Sequence, residues 1–387
     1  MSSAEICSRC VMDTSEKIID FDENGHCCYC REAIKRLEAG EWNRHGEAEL
    51  KAVFDRMKAE CSGRKYDCII GISGGVDSSY VAYIAHRYVV RMLGVHVDAG
   101  WNTPVSENNI RKLCEKYGVD LVVEKVPLDE MMDLQRAYFI SGVPNQDVPQ
   151  DHAFFAVLYR YAIEHGITWI LEGRNFSSES ILGRGLRFDP KDSVNLLDIH
   201  TKFGRIPLKK FPIMDEKTFY EDIPRKKQFQ VFSPLDLIDY NKFEAIKILH
   251  ADCGFEYYGG KHLESRFTKL YQNYILPQKF HCDKRRAHLS SLIVAGQLSR
   301  EDALAELARP PYGDPAELEM DIRYFIEKVG LTREEFDRIM QEEPREHTDF
   351  KVNKYYRRSK LLKNPWVRFV LSVPGIGWGK RILKRWF

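Results

Sequence analysis

The feature that most constrains the fold is a short loop of glycine and serine between a predicted strand and a predicted helix. Residues 73–79 read Ser-Gly-Gly-Val-Asp-Ser-Ser, directly after the strand-like run 67–72. Gly74 and Gly75 permit backbone angles that are closed to other residues, and they let a ligand approach the backbone closely. Backbone N–H groups at the start of a helix form an anion site. The segment therefore predicts a phosphate-binding loop, to which the serine hydroxyls add donors.

One residue of this loop needs a partner of its own. Asp77 would repel a phosphate unless it also binds a cation, and Mg²⁺ bound to the phosphates resolves that conflict. The loop is not a Walker A motif, because Gly-x4-Gly-Lys-Ser/Thr is absent. The alternative interpretation is a plain glycine turn between a strand and a helix.

Strand and helix patterns alternate over the middle of the chain. After the first strand, further strands are predicted at 92–97, 120–126, 168–171 and near 230–232. Helices are predicted at 47–61, 78–85, 104–118 and 153–164. This alternation predicts an α/β fold with a doubly wound parallel sheet and ligands at the carboxyl ends of the strands. From residue 241 to about 343 the pattern is mostly helical.

The N-terminal cysteines have the spacing of a metal site. Cys7-x-x-Cys10 and Cys27-x-x-Cys30 are separated by sixteen residues, with a hairpin signal at 24–25 between them. Two such knuckles predict four thiolate ligands around a Zn²⁺ ion. Four protein ligands close the coordination shell, so the predicted zinc is structural. The alternative is a group of unrelated buried cysteines.

Charge and hydropathy bear on the location of the protein. There is no apolar run of the roughly 18 residues needed to span a bilayer, and residues 1–7 lack the pattern of a signal peptide. These features predict a cytoplasmic protein. Residues 351–387 carry 11 Lys or Arg and no Asp or Glu, which leaves the rest of the chain at −10. Basic residues mixed with bulky apolar ones suit an anionic membrane surface, so peripheral contact with a membrane is predicted. The alternatives are nucleic acid and docking on the body or on an acidic partner.

The loop also resembles a known family. Its Ser-Gly-Gly-Val-Asp-Ser string is similar to the pyrophosphate loop of the PP-loop ATP pyrophosphatases. The resemblance implies an adenine nucleotide alpha-hydrolase-like fold that cleaves ATP between its α and β phosphates. It further implies that adenine lies at the ends of the first two strands, with His96 nearby, and that the end of the fourth strand belongs to the site. The residues predicted to bind ATP are Gly71, Ile72, Ser73, Gly74, Gly75, Asp77, Ser78, Ser79, Val97, Asp98 and Gly173, and Asp77 is also the predicted Mg²⁺ ligand.

A second resemblance covers roughly residues 5–345. The opening Cys-x-Arg-Cys-Val-Met-Asp-Thr, the string at 257–268 and the string Asp-Lys-Arg-Arg-Ala-His at 283–288 are together similar to the N-acetyl sugar amidotransferases. Those enzymes act in bacterial surface-polysaccharide (lipopolysaccharide O-antigen) and nonulosonic-acid pathways. The resemblance implies that ATP adenylates the oxygen of an acetamido group on a nucleotide sugar, and that ammonia then displaces AMP to leave an acetamidino group.

The same resemblance implies protein partners. The sequence contains no glutaminase half, so a separate glutaminase similar to the histidine-pathway enzyme is expected to supply ammonia, with a synthase-like barrel as a conduit. Nucleic acid is not an expected partner. The predicted catalytic residues are Asp77, Glu172, Lys209 and Lys261. Further candidates for charge stabilisation are Lys210, His262, Lys284, Arg285, Arg286 and His288, each with the alternative of a solvated surface charge.

Two other functions remain open at this point. A tRNA-modifying sulfurtransferase of the same superfamily fits the zinc knuckle and the basic tail, but region 141–153 lacks the cysteine pair that those enzymes use. A zinc-ribbon adaptor that senses nucleotides is the non-enzymatic alternative. The predicted domains are a zinc-binding unit at 1–45, a PP-loop domain at 46–240, a helical domain for substrate or partner at 241–345 and a basic tail at 346–387.

Overall fold

The computed structural model describes residues 5–44, 46–183, 185, 187–260 and 263–357. Lys261, His262 and the part of the predicted tail from 358 to 387 therefore lie outside the described residues. The strands are β1 (Cys68–Gly71), β2 (Met92–Asp98), β3 (Asp120–Lys125), β4 (Trp169–Leu171) and β5 (Gln230–Phe232). The helices are α1 (Cys28–Glu38), α2 (Glu47–Glu60), α3 (Val76–Arg87), α4 (Pro104–Tyr117), α5 (Leu128–Ser141), α6 (Val148–Glu164), α7 (Phe176–Glu179), α8 (Ser193–Phe203), α9 (Ile223–Lys226), α10 (Lys242–Cys253), α11 (Arg266–Leu270), α12 (Leu276–Lys279), α13 (Arg285–Val294), α14 (Arg300–Leu307), α15 (Pro315–Val329) and α16 (Arg333–Gln341).

Five of the described strands form one parallel sheet in the order β3-β2-β1-β4-β5. Ile69 of β1 is in register with Leu93 of β2 on one side and with Ile170 of β4 on the other. The predicted doubly wound parallel sheet is thereby confirmed. β2 and β3 follow β1 on one side, and β4 and β5 lie on its other side, so the strand order reverses between β1 and β4. Ligands of such sheets bind in the crevice at this switch point.

The first crossover helices form where the sequence predicts them. α4 begins behind Thr103, whose hydroxyl accepts a hydrogen bond from Ser106 N, and Pro104 occupies the first turn, where no N–H is needed. It ends at Gly118, whose φ of +63° suits glycine.

The sheet is covered on both faces, as a parallel sheet must be. Successive side chains of a strand point to opposite faces. Ile70 therefore joins a buried cluster with α2, α3, α4 and α10, whereas Ile69 joins one with α5, α6, α8 and α15. This second cluster also contains Phe267 and Phe325, so the sheet and the C-terminal helices share a core. The boundaries between the predicted domains stay a prediction.

The helices before residue 241 differ from the predicted pattern in two ways. The pattern does not predict α1, α5, α7, α8 or α9, and α6 begins at Val148 rather than near residue 153. Pro149 lies in the first turn of α6, where its missing N–H costs nothing. In addition, none of the helices in the described part of the chain is long and apolar enough to cross a bilayer.

Candidate active site

The glycine loop joins β1 to α3 in a tightly packed turn. Gly74 has a φ of +79°, and a Cβ added there would lie 2.7 Å from the carbonyl oxygen of Ser106. A Cβ on Gly75 would lie 2.9 Å from an Oε1 atom of Glu264. Gly74 is therefore needed for the close approach to the Ser106 backbone, whereas at Gly75 the nearest atom is the end of a flexible side chain. Glu264 belongs to the C-terminal half of the chain, and the sequence did not indicate that it lies at this loop.

Serine side chains of the loop make hydrogen-bond contacts within it. Ser73 Oγ accepts a hydrogen bond from Gly75 N at 3.1 Å and lies 3.3 Å from Ser78 Oγ. Gly75 is the N-cap of α3, and it has no side chain that could cap the helix. The first N–H groups of a helix have no partner within the helix, and the helix dipole favours an anion there. The loop thus fits the phosphates of a nucleotide.

Two tyrosines from later in the chain hold the start of α3. The Tyr240 hydroxyl donates a hydrogen bond to the carboxylate of Asp77. The Tyr258 hydroxyl accepts one from Val76 N at 3.2 Å. Burial raises the pKa of both tyrosines well above the usual range, so both remain protonated. These two residues fix the predicted Mg²⁺ ligand and the turn that precedes it.

The end of β4 meets this loop at the switch point of the sheet. A Cβ added to Gly173 would lie 2.9 Å from Ser78 N and 3.1 Å from the carbonyl carbon of Asp77. Glu172 accepts hydrogen bonds from Arg174 Nε at 3.0 Å and from Ser233 Oγ at 2.6 Å. Gly173 therefore packs against the loop. Glu172 is engaged at the rim, and its predicted catalytic role stays a prediction.

The end of β2 forms the neighbouring wall. His96 is buried between Ile72 O, 2.8 Å from its Nδ1, and the Asn102 amide, 2.9 Å from its Nε2. The carbonyl can only accept, so Nδ1 donates to it, and both ring nitrogens are engaged. Asp98 accepts hydrogen bonds from Gly100 N and Asn102 Nδ2, at 2.8 and 3.3 Å. Its side chain therefore stabilises the turn after β2.

These elements surround a cavity of ≈ 440 Å³, called here the central cavity. From the first half of the chain it is lined by Gly71, Ile72, Ser73, Gly75, Val76, Asp77, Ser78, Val95, His96, Val97, Ala99, Trp101, Asn102, Gly173 and Glu179. From α6 and its N-cap it is lined by Asp147, Gln150, Asp151, Phe154, Phe155 and Leu158. From the C-terminal part it is lined by Lys242, Tyr258, Glu264, Ser265, Thr268, Gln272 and Lys284.

The C-terminal part reaches the cavity through a short antiparallel pairing. Thr103 N donates to Glu264 O at 3.1 Å, and Arg266 N donates to Trp101 O at 2.8 Å. α11 and the π-helical turn at Tyr271–Ile275 follow directly. They carry Thr268 and Gln272 to the wall that faces α6. The predicted helical region therefore forms one side of the same cavity as the phosphate loop.

The structure brings most of the predicted nucleotide residues together. Gly71, Ile72, Ser73, Gly75, Asp77, Ser78, Val97 and Gly173 line the central cavity. Gly74, Ser79, Asp98, Glu172 and Lys209 are not among its lining residues. Ser79 is buried within α3, and Asp98 lines a separate groove beside β3. Lys261 lies outside the described residues.

The predicted cations are scattered. Lys209 is exposed, and its backbone N–H donates to the Glu130 carboxylate at 2.8 Å, so that segment is held by its backbone. Arg285 pairs with the neighbouring Asp283 at 2.6 Å. Lys284 lines the central cavity. A count of charges in the sequence could not tell these positions apart, because their neighbours come from other parts of the chain.

The four predicted zinc ligands form one buried cluster. The sulfurs of Cys7 and Cys30 are 3.7 Å apart, those of Cys10 and Cys27 are 3.5 Å apart, and all four lie within 4.8 Å of one another. Four sulfurs at about 2.3 Å from one ion would lie roughly 3.8 Å apart. The donor set therefore fits tetrahedral Zn²⁺.

The knuckle is tied to the helices beside the central cavity. Arg300 donates to the carbonyl oxygens of Cys7 and Cys10 at 2.9 and 3.1 Å. Arg286, the second residue of α13, forms an ion pair with Asp13 at 2.9 Å. Lys284, the N-cap of α13, lines the cavity. The cysteine cluster thus supports the start of a helix that borders the site.

Comparison with known proteins adds two family matches. A family model described as LPS biosynthesis protein WbpG-like, C-terminal domain, matches residues 264–363. A model described as NAD synthase matches residues 50–183. The first includes the cavity residues contributed by α11 and the π-helical turn, and the second includes the phosphate loop.

Individual relatives are more distant. The chain is 26% identical over 118 residues to the tRNA(Ile)-lysidine synthase of Chlamydia pneumoniae, which covers 30% of this chain and 34% of the relative. It is 25% identical over 164 residues to the tRNA(Ile)-lysidine synthase of Chlamydia caviae, and this alignment covers 41% of this chain and 43% of the relative. The chain therefore spans less than half the length of the curated relatives it matches.

Solved structures give low similarity scores. NMN synthetase from Francisella tularensis aligns with a TM-score of 0.31 and 13% identity, covering 81% of this chain and 98% of that one. NH3-dependent NAD synthetase from Campylobacter jejuni subsp. jejuni NCTC 11168 aligns with a TM-score of 0.29 and 14% identity. This alignment covers 74% of this chain and 96% of that one. Scores this low do not by themselves establish a common fold.

The two family models match different parts of one site. One covers the phosphate loop and the first strands, and the other covers the helical region that lines the opposite side of the cavity. Both resemblances found in the sequence are thereby supported. The NAD synthase match supports the resemblance to the PP-loop superfamily of ATP-using enzymes, and the WbpG-like match supports the resemblance to the N-acetyl sugar amidotransferases.

Proposed function

We propose that this protein is an ATP-dependent amidotransferase that converts an acetamido group of a nucleotide sugar to an acetamidino group in surface-polysaccharide (O-antigen) or nonulosonic-acid biosynthesis. One observation carries the proposal. The phosphate loop and the WbpG-like C-terminal region line the same cavity of ≈ 440 Å³. A nucleotide on the loop would therefore meet an acceptor selected by the C-terminal region.

The cavity is suited to activation of an amide oxygen. That oxygen is a poor leaving group until its attack on the α-phosphate of ATP releases pyrophosphate and converts it to the oxygen of AMP. The step requires positioning and charge stabilisation rather than a protein nucleophile. None of the described residues that line the cavity is a cysteine. This composition favours nitrogen over sulfur as the incoming atom.

The proposed roles follow the positions of the residues. Ser73, Gly75 and Ser78 would bind the phosphates, while Val97 and Ile72 would border the adenine. Mg²⁺ held by Asp77 would neutralise charge on the phosphates. Among the predicted cations, Lys284 has the position that supports a role with the acceptor or the pyrophosphate. Glu172, Lys209 and Lys261 stay predicted catalytic residues.

The cysteine cluster is proposed to hold a structural zinc ion. Its four buried sulfurs fill a tetrahedral shell, which leaves no open position for a reacting water. Its link to α13 supports a role in shaping the cavity.

The proposal is tested by pyrophosphate release. Purified protein with ATP and Mg²⁺ is expected to release pyrophosphate when a nucleotide sugar with an acetamido group is added. The same sugar with a free amino group is the control, because it has no amide oxygen to adenylate. Asp77→Ala is expected to abolish the release. Equal release with both sugars would reject the proposal.

A separate glutaminase, with a synthase-like barrel as conduit, is the proposed source of ammonia. The test compares glutamine with ammonium chloride as the nitrogen donor for the purified chain. Ammonium alone is expected to support product formation. Product formed from glutamine with no added protein would reject the need for a partner.

A tRNA-modifying sulfurtransferase remains the second candidate. The specific observation in its favour is that the curated relatives described above act, by their names, on tRNA. RNA extracted from the purified protein distinguishes the two. Stoichiometric tRNA together with tRNA-dependent pyrophosphate release would favour this candidate.

The predicted membrane contact of the basic tail remains a proposal based on its composition. Vesicles that contain an anionic lipid are expected to float the full chain but not a chain that ends at Arg357. Equal flotation of the two chains would reject the contact.

A further inference from the structure

One face of α6 forms a wall of the central cavity, and its polarity changes along the helix. Asp147, Asp151 and Phe155 are spaced by four residues, with Gln150 and Phe154 beside them, so all lie on one side of the helix. The wall is polar at the start of α6 and apolar further along. The sequence did not mark any of these residues, because the helix was predicted to begin only near residue 153.

The two carboxylates on this wall have different surroundings. Asp147 is 8% exposed and accepts hydrogen bonds from Gln150 Nε2 at 2.7 Å and from Thr268 Oγ1 at 3.2 Å. These bonds fix the orientation of its carboxylate. Asp151 lies one turn later, and no hydrogen bond from the described residues reaches its carboxylate. It faces the cavity with both oxygens available.

Three titratable groups surround Asp151. Asp147 faces it from the same helix, Lys284 from the start of α13, and Tyr271 from the π-helical turn. The Tyr271 hydroxyl is engaged, because it donates to Pro144 O at 2.6 Å. Burial and the charge of Asp147 raise the pKa of Asp151 to about 8, and Lys284 opposes this change. A general base is most effective when its pKa lies near the working pH.

The proposed reaction requires a proton acceptor at one step. When the amide oxygen attacks ATP, the C–O–P link forms and the bond to pyrophosphate breaks, which leaves a cationic imidate. Ammonia then forms a C–N bond to the imidate carbon, and its nitrogen becomes positively charged. One proton must leave this nitrogen before the C–O bond breaks and AMP departs with the electron pair. The product is an amidinium ion, so one proton is passed to a base.

We infer that Asp151 is the base that takes this proton, with the hydrogen-bonded Asp147 beside it and Lys284 balancing the local charge. This inference rests on the proposed function. Asp151 lines the same cavity as the phosphate loop, Thr268 and Gln272, and this is the cavity in which the two proposed substrates would meet. The unpartnered carboxylate can accept a proton without losing a hydrogen bond that the fold requires.

The test separates adenylation from amidination in Asp151→Asn. Exchange of labelled pyrophosphate into ATP, dependent on the acetamido sugar, reports adenylation and does not require ammonia. Amidine formation at a constant concentration of free ammonia reports the second half-reaction, in which ammonia displaces AMP. A positioned general base contributes about 100-fold or more to rate. We expect amidine formation by Asp151→Asn to fall about 100-fold while exchange stays within about 3-fold of the unsubstituted protein.

The pH profile supplies a readout that a structural role would not change. Protonated Asp151 cannot accept a proton, so amidine formation is expected to decrease as the pH falls below about 8. That acid limb should be absent in Asp151→Asn and partly restored in Asp151→Glu. Glu164→Gln, at the exposed end of the same helix, is the matched control and should keep the original profile.

The outcomes distinguish this inference from the proposed function. If the unsubstituted protein forms no amidine, the proposed function fails. If it forms amidine and Asp151→Asn does so at the same rate with the same pH profile, the inference alone is wrong. Loss of exchange together with amidination, with no recovery in Asp151→Glu, would also overturn it, because Asp151 would then act in binding or folding.

Discussion

The hydroxyl of Tyr240 donates a hydrogen bond to the carboxylate of Asp77, across 163 residues of sequence. Asp77 lies in the first turn of α3, and Tyr240 is buried beneath it. The contact fixes the orientation of the carboxylate proposed to hold Mg²⁺.

Removal of this hydroxyl should weaken the use of magnesium. A hydrogen bond to a charged group contributes about 1.5–3 kcal/mol. Tyr240→Phe keeps the ring and removes the donor, so acetamido-dependent pyrophosphate release is expected to fall about 10-fold or more and to require more Mg²⁺. A titration of the rate with Mg²⁺ measures both effects.

Tyr80→Phe provides the control for this variant. The ring of Tyr80 lies 5.6 Å from that of Tyr240, and the substitution is chemically the same. It should leave the Mg²⁺ requirement unchanged. An identical titration for Tyr240→Phe and the unsubstituted protein would show that the contact has no part in the reaction.

Gly173→Ala should disrupt the phosphate loop from the neighbouring strand. The added Cβ would lie 2.9 Å from Ser78 N and 3.1 Å from the Asp77 carbonyl carbon, and backbone atoms cannot move aside as a flexible side chain can. A displacement of about 1 Å in a catalytic site can cost about 100-fold in rate. We expect a loss of this order in pyrophosphate release, whereas Gly313→Ala, where the added Cβ meets no atom within 4 Å, should be unaffected. Normal ATP binding by Gly173→Ala in calorimetry would contradict the proposed packing.

Cys10→Ser should remove the proposed zinc ion and loosen the N-terminal unit. Metal analysis of the purified protein is expected to find about one zinc per chain, and none in Cys10→Ser. Cys28→Ser is the matched control, because Cys28 adjoins the cluster but is not one of its members. The melting temperature should fall only in Cys10→Ser. Equal zinc content in the two variants would rule out the proposed ligand set.

His347 should make the folded state sensitive to acid. Burial lowers its pKa to about 3, and both ring nitrogens are engaged by Asn195 Oδ1 and Asn145 N, at 2.9 and 3.3 Å. The unfolded chain binds a proton here below a pH of about 6.5 and the folded chain does not. The contribution to stability is therefore present above pH 6.5 and is lost as the pH falls from there towards 3.

Urea unfolding at two pH values measures this effect. Between pH 7 and pH 5 the free energy of unfolding should decrease by about 2 kcal/mol more in the unsubstituted protein than in His347→Gln. His165→Gln, at an exposed histidine, should behave like the unsubstituted protein. The prediction is wrong if His347→Gln loses as much stability as the unsubstituted protein does.

The sequence predicts the parts of the site that are local in the chain. The loop at 73–79 and the four cysteines are short motifs whose chemistry depends on neighbours in sequence, and the sheet follows from alternating patterns. Tyr240, Tyr258 and Glu264 could not be predicted in this way. They reach the loop only through the packing of α10 and of the pairing at residues 264–266, which tertiary contacts decide.

The face of α6 had a signal that the sequence interpretation did not use. Pro149 two residues after Asp147 is typical of a helix start. A helix that begins there places Asp147, Asp151 and Phe155 in one row. Lys209 became a candidate through its charge alone; its backbone N–H donates to Glu130, and its catalytic role stays a prediction. Charge alone does not identify a catalytic residue.

The most direct test of the central claim follows the incoming nitrogen. The purified protein is given ATP, Mg²⁺, a nucleotide sugar with an acetamido group and isotope-labelled ammonium, and the products are resolved by mass spectrometry. We expect AMP, pyrophosphate and an acetamidino sugar in equal amounts, with the label in the sugar and with no product from Asp77→Ala. AMP and pyrophosphate formed beside an unaltered sugar would contradict the account.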